Sequence, residues 1–124
     1  MNLPLLWSAT AVAFVAFLVH TFVGGRRVAR PLLADRSLPP ASKWLNYYCW
    51  HAATVMLAFV TIAFAWAAVD PTLAPVVVFG GTLAVALSAL SAAVASKAGI
   101  HPLRFPSTSL LAGTGLLALA AVIA

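Results

Sequence analysis

Apolar and polar positions in this chain segregate into long blocks. Residues 3–23, 44–69, 72–96 and 107–124 are almost wholly apolar. Each block is close to the ~20 helical residues that cross a hydrocarbon layer of ~30 Å. The pattern therefore predicts an all-α fold: an integral-membrane, antiparallel four-helix bundle forming one domain over residues 1–124. The breaks between blocks carry helix-ending residues. Gly24-Gly25 is expected to stop the first helix. Pro39-Pro40 forbids helix before the second, and Asp70-Pro71 makes a tight turn between the second and third. Gly99 and Pro102 end the third, and Pro106 can open the fourth. Residues 24–43 and 97–106 are read as two connecting loops on one side of the membrane. Short connections predict that the second and third helices, and the third and fourth, are antiparallel neighbours.

Within lipid there is little hydrophobic drive between helices, so small residues mark the faces where backbones approach. In the first block the small stripe is Ala9, Ala13 and Ala16, continued by His20. In the second it is His51, Thr54, Ala58, Thr61, Ala65 and Ala68. In the third it is Gly81, Ala84, Ser88, Ser91 and Ala95, with Leu83, Leu87, Leu90 and Val94 on the back. In the fourth the best candidates are Ser107, Thr114, Ala118 and Ala121.

Composition agrees. Of the 124 residues, 64% are hydrophobic and 7% charged. A soluble domain, with about 25% charged residues, is a different kind of object. The net charge of +5 would suggest nucleic acid in a soluble chain. Here the basic residues flank apolar blocks, so the bilayer and its anionic lipids are the expected partners and nucleic acid is not. The N-terminal stretch has no basic start, and its apolar run exceeds the ~7–15 residues of a cleaved leader, so it reads as a permanent span. The single Cys49 allows no internal disulfide.

All seven Lys and Arg residues lie in the two loops: Arg26, Arg27, Arg30, Arg36 and Lys43 in one, Lys97 and Arg104 in the other. Two spans separate these loops, so both lie on one side, and the positive-inside rule makes that side the cytoplasm. The expected location is the inner membrane, with both termini extracytoplasmic. Trp7 and Trp66 would mark the outer interface, and Trp44, Tyr47, Tyr48 and Trp50 the inner one.

The candidate chemistry gathers at the basic end. His20 lies four residues before Gly24, roughly 6 Å of helix rise, and His51 seven after Trp44, roughly 10 Å. Both continue small stripes, so both are expected to face the bundle at similar depth, with His101 just beyond. Three readings follow. A histidine can donate to a Thr, Ser or backbone carbonyl on a neighbouring helix. Alternatively, His20 and His51 can ligate haem b from both sides, with propionates on nearby arginines. As a third possibility His20, His51 and His101 can hold a transition metal. Cys49, two residues from His51, points elsewhere on the helix. Arg26, Arg27, Arg30 and Arg104 are candidates for contact with a lipid headgroup or another anion, or act only as topology signals.

No phosphate loop, nucleophile–base pair or paired carboxylate is present. A proton-coupled exporter of this size needs an intramembrane carboxylate, and the chain has no Glu and only Asp35 and Asp70. The sequence therefore points to a small multi-pass membrane protein. Its expected role is that of a non-enzymatic accessory or assembly subunit of a larger membrane complex, or a homo-oligomer; haem or metal binding is the alternative, a small transporter the second alternative, and an enzyme the least favoured class.

Overall fold

The computed structural model describes residues 1–124. It contains helices and turns and no strand. Helix α1 (Leu3–Leu18) runs without a break into a π-helical segment (Val19–Ala29) and a short α2 (Arg30–Ala34). Then follow α3 (Pro40–Val69), α4 (Ala74–Lys97) and α5 (Pro106–Ile123). Four helical rods, Leu3–Ala34, Pro40–Val69, Pro71–Lys97 and Pro106–Ile123, are long and apolar enough to cross a membrane. This is a four-helix membrane protein.

The chain-breaking residues act locally. Asn2 caps α1, its side chain accepting the Leu5 N–H at 3.2 Å, which satisfies one donor a helix start leaves free. Asp70 closes the α3–α4 turn by accepting from the Thr72 N–H at 3.1 Å and the Thr72 hydroxyl at 2.6 Å. Asp35 does the same with Ser37. The Ser37 hydroxyl and N–H hold the exposed Asp35 carboxyl below its ordinary pKa. Gly99 has φ +71°, the left-handed geometry that lets the chain turn after α4.

Gly24-Gly25 does not stop the first helix. Neither glycine adopts a positive φ; the backbone continues by widening to i→i+5 bonding, as where the Arg30 N–H donates to the Gly25 carbonyl. Helix persists to Ala34, and α3 begins at Pro40 rather than residue 44. The expected 24–43 loop is thus a bend over residues 35–39. Lys43 reaches across it to donate to the Leu33 carbonyl at 3.2 Å, one of the carbonyls the rod's end leaves unpaired.

The helices pack in the order α3–α1–α5–α4. Helices α3 and α4, expected as neighbours along their length, meet chiefly around the turn that joins them. There Phe64 lies on Gly80, where a Cβ would sit 2.7 Å from the ring. Leu6, Ala9, Phe64, Ala67, Ala68, Val77, Ala118 and Ala121 form the core at this end. The Asn2 N–H donates to the Ala121 carbonyl at 2.6 Å, tying α1 to α5.

The small stripes of the first and third blocks are buried as expected: Ala9, Ala13 and Ala16 on α1, and Gly81, Ala84, Ser88 and Ala95 on α4. On α5, Thr114, Ala118 and Ala121 are buried, joined by Thr108 and Gly115. At the basic end of the α4–α5 pair the Ser88 hydroxyl donates to the Thr108 carbonyl at 2.6 Å. The Ser91 hydroxyl meets those of Ser107 at 2.7 Å and Thr108 at 2.9 Å. Sequence reading placed these serines as packing residues only; their hydroxyls also bond across the helices. Ser88→Ala is expected to cost about 1 kcal/mol, the scale of an interhelical hydroxyl bond in a membrane, read as a lower thermal midpoint in detergent.

The α3 stripe is turned relative to expectation. Leu57, Phe64, Ala67 and Ala68 are buried, and His51 is exposed. The helix presents bulk where its partners present small residues, which a small-residue rule does not register.

Candidate functional site

The basic end holds a cleft of about 320 Å³ between the π-helical segment and α3. Thr21, Gly25, Arg26 and Arg30 border it on one side; Tyr47, Trp50, His51 and Thr54 on the other. The winding of the π segment is what places the first group together. In an α-helix, with 3.6 residues per turn, Arg30 would lie roughly two and a half turns beyond Thr21, on the opposite face. With i→i+5 bonding there are more than four residues to the turn, and the same nine residues make roughly two turns. Thr21 and Arg30 therefore share a face, with Gly25 and Arg26 between them.

Trp50 forms the back wall. Its indole stacks on His20, with ring centroids 4.0 Å apart and planes at 15°. Its outer edge lies over Gly24, where a Cβ would come within 2.5 Å of the ring. The Trp50 carbonyl accepts twice: from His20 Nε2 at 3.1 Å and from the Thr54 hydroxyl at 3.2 Å. Because a carbonyl only accepts, this bond assigns the His20 proton to Nε2. One histidine reading is therefore realised: an interhelical bond to a backbone carbonyl.

His51 does not face His20 across the bundle. It lies exposed at the cleft rim, edge-on to Tyr47 with centroids 4.5 Å apart and planes at 87°. His101 lies apart in the α4–α5 connection, where its Nδ1 accepts the Leu103 N–H at 3.3 Å. No three His, Cys, Asp or Glu side chains come together to hold a metal, so the set His20, His51 and His101 is not assembled. Cys49 is exposed.

Of the four candidate arginines, the fold brings Arg26 and Arg30 to the cleft; Arg27 and Arg104 do not border it. Only one carboxylate, Asp35, lies at this end against all seven cations, and it is already engaged with Ser37. The Thr21 hydroxyl oxygen is buried without a hydrogen-bond partner. Sequence reading missed Thr21, Tyr47 and Trp50 as cleft residues; the aromatics were read only as interface markers. Two arginines, a threonine and aromatic residues thus border one cleft, a set suited to an anion with an apolar attachment.

No known protein family, no curated protein and no solved structure matches the chain.

Proposed function

We propose that this protein is a non-enzymatic accessory or assembly subunit of a larger complex in the inner membrane. Both termini are extracytoplasmic in this reading, and the basic end is cytoplasmic. The observation that supports it is surface. Only 22–28% of each span's apolar window is buried within the chain, and large side chains such as Trp7, Phe14, Phe59, Phe79 and Leu116 point outward. A bundle this small offers more apolar area to neighbours than it keeps for itself.

Mild-detergent purification from the native membrane is expected to yield a stoichiometric membrane partner. A protein that runs alone as a monomer or homo-oligomer, with its activity intact, overturns the reading. Topology has its own test: a reporter active only in the cytoplasm, fused after Ala124, is expected to be silent.

A cofactor reading keeps one supporting observation: His20 stacks on Trp50, and Trp50 and His51 both border the cleft. Haem b or a transition metal on these residues requires the Trp50 carbonyl to give up its His20 donor, or ligation through Nδ1. An optical spectrum with total metal analysis decides: a Soret band lost in His20→Ala supports haem, and a colourless, metal-free, functional protein rejects it.

A further inference from the structure

We propose that the cleft between the π-helical segment and α3 is a specific binding site for the phosphate headgroup of an anionic phospholipid. In this assignment Arg26 and Arg30 hold the phosphate and the Thr21 hydroxyl completes its hydrogen bonds. This goes beyond, and does not depend on, the accessory-subunit reading.

Four observations carry it. First, Arg26 and Arg30 border one cavity of about 320 Å³, room for a headgroup rather than a whole lipid. Guanidinium is the side chain best matched to phosphate oxygens. Second, Thr21 borders the same cavity, and its hydroxyl oxygen is buried without a partner. A buried hydroxyl without a partner is costly, and a ligand oxygen that met it on rotation of the side chain would satisfy it. Third, Gly25 leaves the space open: a Cβ there meets nothing within 4 Å. Fourth, the cleft sits where the apolar rod gives way to its basic end, and Phe22, on its border, is 63% exposed. An acyl chain can follow that surface into the hydrocarbon while its phosphate stays at the arginines. A free phosphate shares the headgroup chemistry but has no use for the apolar exit.

The contacts also divide the basic residues into two kinds. Arg27 and Arg104, outside the cleft, attract anionic membranes only through long-range charge, worth about the same for any basic residue near the surface. Arg26 and Arg30 attract one lipid by direct bonds.

The test uses the full chain in mild detergent, titrated separately with short-chain phosphatidylglycerol, short-chain phosphatidylcholine and inorganic phosphate. Tryptophan fluorescence is the readout, since Trp50 walls the cleft. Phosphatidylglycerol is expected to saturate one site and to bind at least about tenfold more tightly than either competitor. Arg26→Gln and Arg30→Gln each weaken it about tenfold or more, the loss of a charge-assisted bond, whereas Arg27→Gln with Arg104→Gln changes it by less than about twofold. Gly25→Leu fills the cleft and abolishes binding with every charge retained. Thr21→Val is the most discriminating variant. It removes an unpaired hydroxyl, so thermal stability holds or rises, while lipid affinity falls severalfold.

Equal losses from the Arg26/Arg30 and Arg27/Arg104 variants would reduce the site to diffuse charge and overturn the proposal. So would wild-type affinity in Gly25→Leu. Inorganic phosphate binding as tightly as the lipid would assign the cleft to a soluble anion and overturn the lipid. Gly25→Leu and Thr21→Val keep the test decisive if an arginine variant fails to fold.

Discussion

Gly115→Ala is expected to cost about 3 kcal/mol of stability, the upper end of the range for overpacking a close-packed interior. The added methyl would lie 2.6 Å from the Gly81 carbonyl oxygen, 2.6 Å from a Val85 methyl and 2.9 Å from the Val85 nitrogen. Two of these three atoms are backbone of α4, so no side-chain rotation relieves the contact; the helices must separate. Separation pulls apart the hydroxyl bonds of Ser88 and Ser91 further along the same interface. The control is Gly113→Ala, two residues away. Its methyl would meet only a Val12 methyl, at an ordinary 3.5 Å, and alanine favours helix over glycine by about 1 kcal/mol. Reversible unfolding in mixed detergent should show opposite shifts: a large loss at Gly115 and no loss, or a small gain, at Gly113. Equal effects at both would mean that α4 and α5 do not touch through Gly115.

The second large effect is expected at Gly24. Gly24→Ala places a methyl 2.5 Å and 2.9 Å from two carbons of the Trp50 ring. The face of that ring is stacked on the His20 imidazole, with centroids 4.0 Å apart. To make room, the ring must shift off Gly24 and disturb the stack. The cost is about 2 kcal/mol, with overpacking and a lost aromatic pair combined. The diagnostic is a double-mutant cycle with Trp50→Ala. In that background the Gly24→Ala penalty should vanish, because the clashing ring is gone. A penalty that survives would place its origin in the π-helical backbone.

These two glycines show where a sequence speaks and where it does not. The second and third spans end where Asp70-Pro71 and Gly99 predict, because each acts on its own backbone. Gly24-Gly25 carried the same local signal with a different outcome. A glycine ends a helix only when the chain uses its left-handed freedom, and here the pair serves instead as a bare surface for Trp50 and an opening for the cleft. Which use prevails depends on α3, about twenty-five residues away in sequence.

The proposed site was legible to a similar depth. Its place at the basic end followed from charge segregation, and Arg26 and Arg30 were among its candidates. Separating them from Arg27 required the winding of the helix that carries them, and a change from α to π leaves no mark in apolar periodicity. His51 was misplaced for another reason. The stripe on α3 was aligned on small residues, and the helix turned Leu57 and Phe64 inward because Gly80 on α4 and the alanines of α1 make room for them. Complementarity between a large and a small partner is a property of two helices, invisible in one.

The helix order α3–α1–α5–α4 has a consequence for how the protein is made. Of the four helices, the two middle ones are the first and the last in chain order. When α1 enters the bilayer, the side of it that will meet α5 has nothing to meet. Its buried Thr10 hydroxyl is satisfied within the helix, bonded to the Leu6 carbonyl, so it needs no partner from lipid. The α3–α1 and α4–α5 contacts can form as pairs, but the seam between α1 and α5 must close across the whole length of the chain, after synthesis has passed residue 106. Assembly is therefore a docking of two helical pairs, and until it happens the membrane must shelter an open half-protein.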